Sequence, residues 1–387
     1  MKILLCPDSF KGSLSAIQVT EAMEEGIRRV FHDAEIHRLP IADGGEGTVE
    51  ALVVATKGKF ETTTVQNPLG NPQEARWGIL GDGKTAVMEM AAASGLTLIQ
   101  SSEKNPLITS TFGTGEMIRS ALDKGIRNFV IGIGGSATND GGTGMIKALG
   151  GRFLDHEGKE LPDGGASLIH LDQIDLSQLD SRLIECRILV ACDVDNPLCG
   201  AKGASAVYGP QKGATLEMVA ELDKALSRYA EVAQVVTGRD CAESSGAGAA
   251  GGLGAGFMFF TNAELKPGVE IVLEVISFDR QLEGCDWVLT GEGRTDFQTA
   301  FGKAPVGVAK RAAAQGVPTL CLSGSIGEGY EKVLLQGIEA VMSVVPCPTM
   351  TLHQCMSEAS VLVTDASEHL ARVIQVGRRM KFKNKVR

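Results

Sequence analysis

Five short apolar runs in this chain each end in a turn crowded with glycine or acidic residues. The turns are Pro7-Asp8-Ser9-Phe10-Lys11-Gly12, Ala42-Asp43-Gly44-Gly45-Glu46-Gly47, Gly134-Gly135-Ser136-Ala137-Thr138-Asn139-Asp140-Gly141-Gly142, Ala191-Cys192-Asp193-Val194-Asp195-Asn196 and Thr290-Gly291-Glu292-Gly293-Arg294-Thr295-Asp296. A buried strand followed by a glycine turn, repeated along a chain, constrains the fold to an open α/β sheet whose ligands bind outside the carboxyl ends of the strands. Glycine there lets backbone N–H groups approach phosphate oxygens, while nearby carboxylates hold a divalent cation or take a proton. Turn chemistry alone explains any one of these segments, because Gly and Asp are what turns require. The set of five points to a phosphorylated ligand.

The opening follows a strand–turn–helix plan. Ile3–Cys6 reads as a buried strand, and Ser15 as the N-cap of a helix over Val19–Phe31. Glu35–Pro40 is a second strand and Gly47–Ala55 a second helix. The same plan returns near the end, with strands over Asp286–Thr290, Thr319–Ser323 and Ala340–Val345 and a helix over Pro305–Ala314. The middle differs. Thr62–Gln66, Glu74–Leu80 and Thr85–Met90 read as antiparallel strands, Ile188–Cys192 and Glu270–Val275 as further β or mixed material. At 387 residues the chain is too long for one core. We therefore expect a parallel-sheet α/β domain built from both chain ends, 1–65 and 275–387, with a mixed α/β domain inserted over 66–274. A cleft between the two is the default site.

Composition excludes some partners. A net charge of −10 disfavours nucleic acid, whose phosphates would be repelled. Nine cysteines, with no CxxC spacing, suit buried free thiols better than disulfides or a zinc cluster. No apolar stretch approaches a membrane span, and the N-terminus reads as a first strand and not a signal peptide, so a cytoplasmic enzyme without a membrane partner is expected. The basic end, Arg378 to Arg387, reads as a solvated tail. A homodimer is left open.

Two motif matches mislead. Gly78-Ile79-Leu80-Gly81-Asp82-Gly83-Lys84-Thr85 fits the Walker A pattern, but the residues on either side alternate apolar and polar, so Gly81–Lys84 is a hairpin turn. Gly246-Ala247-Gly248-Ala249-Ala250-Gly251 fits GxGxxG, yet polar residues and not a strand precede it, which leaves a dehydrogenase the weaker reading. The segment could still form an anion loop before a helix near Leu253.

The six histidines lie away from the glycine turns and no GxSxG elbow occurs, which speaks against a hydrolase triad. The turns concentrate Asp, Glu, Lys, Ser and Thr, an inventory suited to phosphoryl transfer, where the protein positions groups and neutralises charge. At this point the strings PDSFKGSLSA, PIADGGEGTVEA, GDGKTAVMEMAAASGL, GIGGSATNDGG, ACDVDNPLCG, YGPQKGA, GAGAAGGLGAG, TGEGRTD and GKAPVGVA resemble the bacterial type I glycerate kinases, in order and over nearly the whole chain. Ser245 stands where that family often has proline, and Thr295 and Phe297 vary within their string. The resemblance implies ATP and Mg²⁺-dependent phosphorylation of D-glycerate, at the 2-hydroxyl. It also implies a flavodoxin-like domain from both chain ends and an inserted domain of restriction-endonuclease-like fold. With that substrate in view, Asp193 is the expected base, with Asp8 and Lys11 beside it in catalysis. Ser9, Lys212 and Arg294 are expected at the substrate, and Gly134, Gly135, Ser136 and Thr138, at a helix start, at the triphosphate. Asp43, Glu292 and Asp296 are expected at the metal. A sugar-acid binding module without turnover is the reading from another class.

Overall fold

The computed structural model describes residues 1–384, with side chains through 380. The chain divides into two compact units, one made of Met1–Asp43 with Val272–Arg387 and the other of Gly44–Ile271. The boundary falls earlier than the sequence patterning places it. Strand Lys59–Gln66 pairs antiparallel with Pro72–Ile79 through a local turn, so helix Thr48–Thr56 and this strand go with the inserted unit.

The first unit carries five parallel strands in the spatial order Ile338–Ser343, Thr319–Ile326, Trp287–Thr295, Lys2–Pro7, Glu35–Arg38. Numbered along the chain this is the order 2-1-3-4-5, the doubly wound arrangement of flavodoxin-like sheets. Ile3, Leu4, Leu5 and Cys6 are wholly buried, as a central parallel strand covered on both faces requires. Ser15 caps helix Ala16–Arg28: its hydroxyl accepts from Gln18 N at 3.3 Å, while the Gln18 side chain accepts from Ser15 N at 2.9 Å. That helix lies so close to Ala359–Asn384 that a Cβ at Gly26 would stand 2.1 Å from the Thr364 carbonyl oxygen. The basic end continues this helix to Asn384; its last three residues lie outside the described residues.

The second unit holds a six-stranded mixed sheet in the order Glu264–Lys266, Arg187–Ala191, Asn128–Gly132, Thr85–Glu89, Pro72–Ile79, Lys59–Gln66. The first four run parallel and the last two antiparallel. Trp77, Phe129, Phe153, Tyr229 and Phe257 fill its core, and the buried indole of Trp77 donates to Thr63 Oγ1 at 3.0 Å. The Walker-like segment is the hairpin turn expected: Leu80 N donates to Thr85 O, and Asp82 accepts from the backbone of Lys84 and Thr85. Glu270–Val275, expected as β or mixed material, is part of a helix, Gly268–Val275. The GxGxxG run turns into helix Ala249–Phe260 with Ala250, Gly251 and Gly252 at positive φ. A Cβ at Gly251 would stand 2.0 Å from the Thr138 carbonyl oxygen, so these glycines serve close packing. Among the described residues no helix is long and apolar enough to cross a membrane, and all nine cysteines are free.

Candidate active site

In the first unit the winding reverses between Lys2–Pro7 and Trp287–Thr295, and a doubly wound sheet opens a ligand crevice at that point. Both strands end in a glycine turn there. Asp8 N donates to Gly291 O at 2.8 Å, which continues the ladder one residue beyond the strand. The Phe10–Lys11 turn then lies flat on Gly293, where a Cβ would meet Lys11 N at 3.1 Å, and a Cβ at Gly324 would stand 2.5 Å from Gly293 O. Glycine at these positions brings three chain segments together at the switch point.

The acids meet here. Burial, then the charges of Asp43 and Glu292, push the Asp8 carboxyl up to about 7, although Ser9 N donates to its Oδ1 at 2.6 Å. Glu292 is also raised, by burial first, with the hydroxyls of Thr299 (2.8 Å) and Thr295 (3.0 Å) on its Oε1 opposing that rise. Asp296, the third expected metal ligand, is instead engaged locally: its Oδ2 takes the Arg294 Nε at 3.1 Å and its Oδ1 accepts from Gln298 N at 2.9 Å. Arg294, expected at the substrate, is therefore in an ion pair, with its side chain largely exposed. Lys11 is exposed and Ser9 half-buried in the same turn as Asp8.

In the second unit, three parallel strands end at one rim with Glu89, Gly132 and Ala191. The Gly44–Gly47 loop crosses that rim. A Cβ at Gly132 would stand 2.3 Å from Gly44 O, and one at Gly44 2.4 Å from the Ala191 Cβ. Gly134 and Gly135 are exposed beside it, whereas Ser136 and Thr138 are buried. No helix starts at Gly134–Thr138. The helix is Thr143–Ala148, and the buried Asp140 closes its start, accepting from Gly142 N (3.1 Å), Gly144 N (3.2 Å), Thr111 N (2.8 Å) and Thr111 Oγ1 (2.8 Å). The helix start is thus closed by Asp140, while Gly134, Gly135, Ser136 and Thr138, expected at the triphosphate, lie in the turn before it.

Lys212 and Thr138, expected at different ligands, meet each other: Lys212 Nζ donates to Thr138 O at 2.7 Å, and both are buried. Burial pushes Lys212 down to about 7, with the charge of Asp140 opposing. The Thr138 hydroxyl and Asn139 Oδ1 next to this bond are buried and have no hydrogen-bond partner among the described residues. Asp193 is exposed just past Arg187–Ala191, and its Oδ1 accepts from Gly268 N at 3.0 Å, at the start of helix Gly268–Val275. Glu89, which sequence reasoning missed, accepts from Val49 N at 2.9 Å and from the backbone N–H groups of Gly47 and Thr48. Its signal was thin, a glutamate in a strand whose partners lie about forty residues upstream.

A doubly wound unit with carboxylates gathered at its switch point, interrupted by a mixed unit with glycine turns at one sheet rim, defines a two-unit α/β enzyme for a small anionic ligand. Comparison with known proteins narrows this. The model of the glycerate kinase family matches residues 3–375. The chain is 51% identical over 375 residues to a glycerate kinase of Bacillus subtilis (strain 168), covering 97% of this chain and 95% of that one. It is 48% identical over 379 residues to the glycerate 2-kinase of Escherichia coli (strain K12), covering 98% and 99%. A crystal structure described as a glycerate kinase 2 from Salmonella typhimurium LT2 superposes with a TM-score of 0.91 at 46% identity, over 98% of this chain and 99% of that chain. The chain belongs to the glycerate kinase family.

Proposed function

We propose that this protein transfers the γ-phosphoryl group of ATP to the 2-hydroxyl of D-glycerate, giving 2-phospho-D-glycerate and ADP. The observation that carries this reading is the gathering of Asp8, Asp43 and Glu292 at the switch point of the doubly wound unit, in a chain 48% identical to a glycerate 2-kinase. As the hydroxyl oxygen bonds to the γ-phosphorus and the bond to the β-phosphate oxygen breaks, the hydroxyl proton needs an acceptor. We assign it to Asp8, which ends the strand at the switch point. Asp193, the other candidate, is exposed and accepts from the Gly268 amide at the start of a helix in the second unit, not at the switch point of the first. Lys11 and Ser9, in the same turn as Asp8, supply a cation and donors for an anionic substrate. Gly134 and Gly135 are exposed, and their amides are the donors we assign to phosphate oxygens. A free thiol inventory and a reaction that draws on ATP both fit the reducing cytoplasm.

Among the described residues no group of three or more His, Cys, Asp or Glu is assembled as a metal cage. Magnesium does not need one, since it takes one or two carboxylates and completes its shell with phosphate oxygens and water. The mutually repelling carboxylates at the switch point fit that donor set, and Asp43 and Glu292 would hold the ion. Bound there, it supplies neutralisation of the phosphate charge. The test is release of ADP from MgATP, which should require D-glycerate, with an enolase-coupled assay separating the 2-phosphate from its 3-isomer. No turnover with any short hydroxy acid would overturn the proposal.

A further inference from the structure

The Gly44–Gly47 loop is fixed at both ends by different means. At Gly44 the fixing is steric: its φ is +90°, a Cβ there would strike Ala191, and its carbonyl oxygen fills the space a Cβ would need at Gly132. At Gly47 the fixing is electrostatic. Helix Thr48–Thr56 starts from Gly47 at φ 91°, and no side chain at the cap position satisfies its first amides. The Glu89 carboxylate does so from the end of strand Thr85–Glu89: Val49 N donates to its Oε1 at 2.9 Å, and the amides of Gly47 and Thr48 favour its charge, although Thr48 N also donates to Gly45 O at 3.3 Å. Gly45 and Glu46 are held between these two fixings, with Gly45 Cα 3.5 Å from where a Cβ on Gly134 would stand.

We infer that Glu89 is a positioning residue. Its half-buried carboxylate closes the amides at the start of helix Thr48–Thr56 and so sets Gly45 and Glu46 beside Gly134, over the carboxyl rim of the second sheet. The helix start is consequently closed to phosphate. The inference rests on the proposed kinase reading for its kinetic consequence alone. Glu89→Gln keeps the length of the side chain but replaces one acceptor oxygen with a donor NH₂ that faces backbone N–H groups. Glu89→Asp keeps the charge but falls one methylene short.

The test measures amide hydrogen exchange over residues 44–56 together with steady-state kinetics on the intact protein. In Glu89→Gln, protection should fall at Gly47, Thr48 and Val49 while core strand Asn128–Gly132 keeps its own. kcat/KM for glycerate should drop on the order of tenfold to a hundredfold per folded molecule, with Glu89→Ala worse than either conservative variant. Wild-type protection at these amides in Glu89→Gln would overturn the inference. So would full kcat/KM, or a loss of turnover that merely follows the fraction unfolded. Should the wild type itself fail to turn glycerate over, the kinase reading falls, and the exchange arm alone then decides the role of Glu89.

Discussion

The two units use the same turn chemistry to opposite ends. In the second unit the carboxylates of the glycine-rich region are satisfied by backbone amides: Glu89 closes helix Thr48–Thr56, Asp140 closes Thr143–Ala148, and Asp193 accepts from the first residue of Gly268–Val275. In the first unit Asp8 feels the like charges of Asp43 and Glu292, and burial together with that repulsion raises it to about 7. A carboxylate that accepts several N–H bonds is stabilised where it is and does structural work. One that is crowded by like charge remains available to a cation or a proton. A Gly–Asp string is the same in both cases, so its role is set by where the amides are and not by its letters.

The largest effect that would test this contrast is expected at Asp8. Asp8→Asn removes the proposed proton acceptor and one of three crowded charges. kcat should fall by about 10²–10⁴, the usual worth of general-base help, while the melting temperature at pH 8 holds or rises. Asparagine loses the acceptor but relieves repulsion, so activity and stability move in opposite directions. A fall in both would make Asp8 structural, like the carboxylates of the other unit.

A second effect separates the units by pH. Lys212 is a base whose folded-state pKa is depressed by burial to about 7 from 10.5. Between those values the unfolded chain holds a proton that the folded chain does not, so stability rises with pH across that window and the gain is lost as pH falls toward 7. The full span corresponds to several kcal/mol, on the order of 5, with the opposing charge of Asp140 already included. In Lys212→Met, denaturant unfolding between pH 7 and pH 10 should lose this rising component. An unchanged slope would mean that Lys212 reaches water in solution.

Asp193 should show a smaller effect and the sharper comparison. As a helix cap its removal costs about 0.5–2 kcal/mol, so Asp193→Ala should lower the unfolding midpoint and reduce turnover per folded molecule less than tenfold. A hundredfold loss of kcat with stability intact would transfer the proton acceptor to the second unit and reverse the contrast between the two.

These roles mark how far the sequence could be read. The first unit was legible because its strands are signalled locally: Ile3–Cys6 is a continuous apolar run, and Ser15 announces the helix that follows. What was not legible depends on distant partners. Glu270–Val275 is rich in β-branched residues and reads as strand or mixed material, but Asp193, seventy-five residues from Gly268 in sequence, accepts at the start of a helix there. Glu89 and Asp140 likewise declare their roles only once their amide donors are in place. Lys212 and Thr138 looked like contacts to two separate ligands because nothing in either string shows that they bond to each other. Asp43, Glu292 and Asp296 were grouped by residue type. Arg294, two residues from Asp296, draws the last of them into a local ion pair.

The smallest expected effect falls on the motif that most resembles a nucleotide site. Lys84 completes a formal Walker A pattern, and a lysine in a true phosphate loop would cost orders of magnitude in rate when removed. Here the preceding strand Pro72–Ile79 is antiparallel to Thr85–Glu89, so no helix start follows to complete a phosphate cradle. Asp82 takes the Lys84 and Thr85 amides at 2.9 and 3.0 Å and the Thr85 hydroxyl at 2.6 Å, which engages the donors a phosphate would need. The hydrogen bonds at Asp82 also hold its carboxyl below the usual range against a burial that would raise it, whereas at the more deeply buried Glu89 and Asp140 burial wins and the carboxyl is raised. Lys84 itself is exposed at the tip. Lys84→Ala should therefore change kcat and the KM for ATP by less than about twofold, because an exposed turn lysine contributes little beyond a screened surface charge. Steady-state kinetics at saturating glycerate would measure it. A collapse of turnover with the fold intact would put the nucleotide at this hairpin, and the acids of the first unit would then need another role.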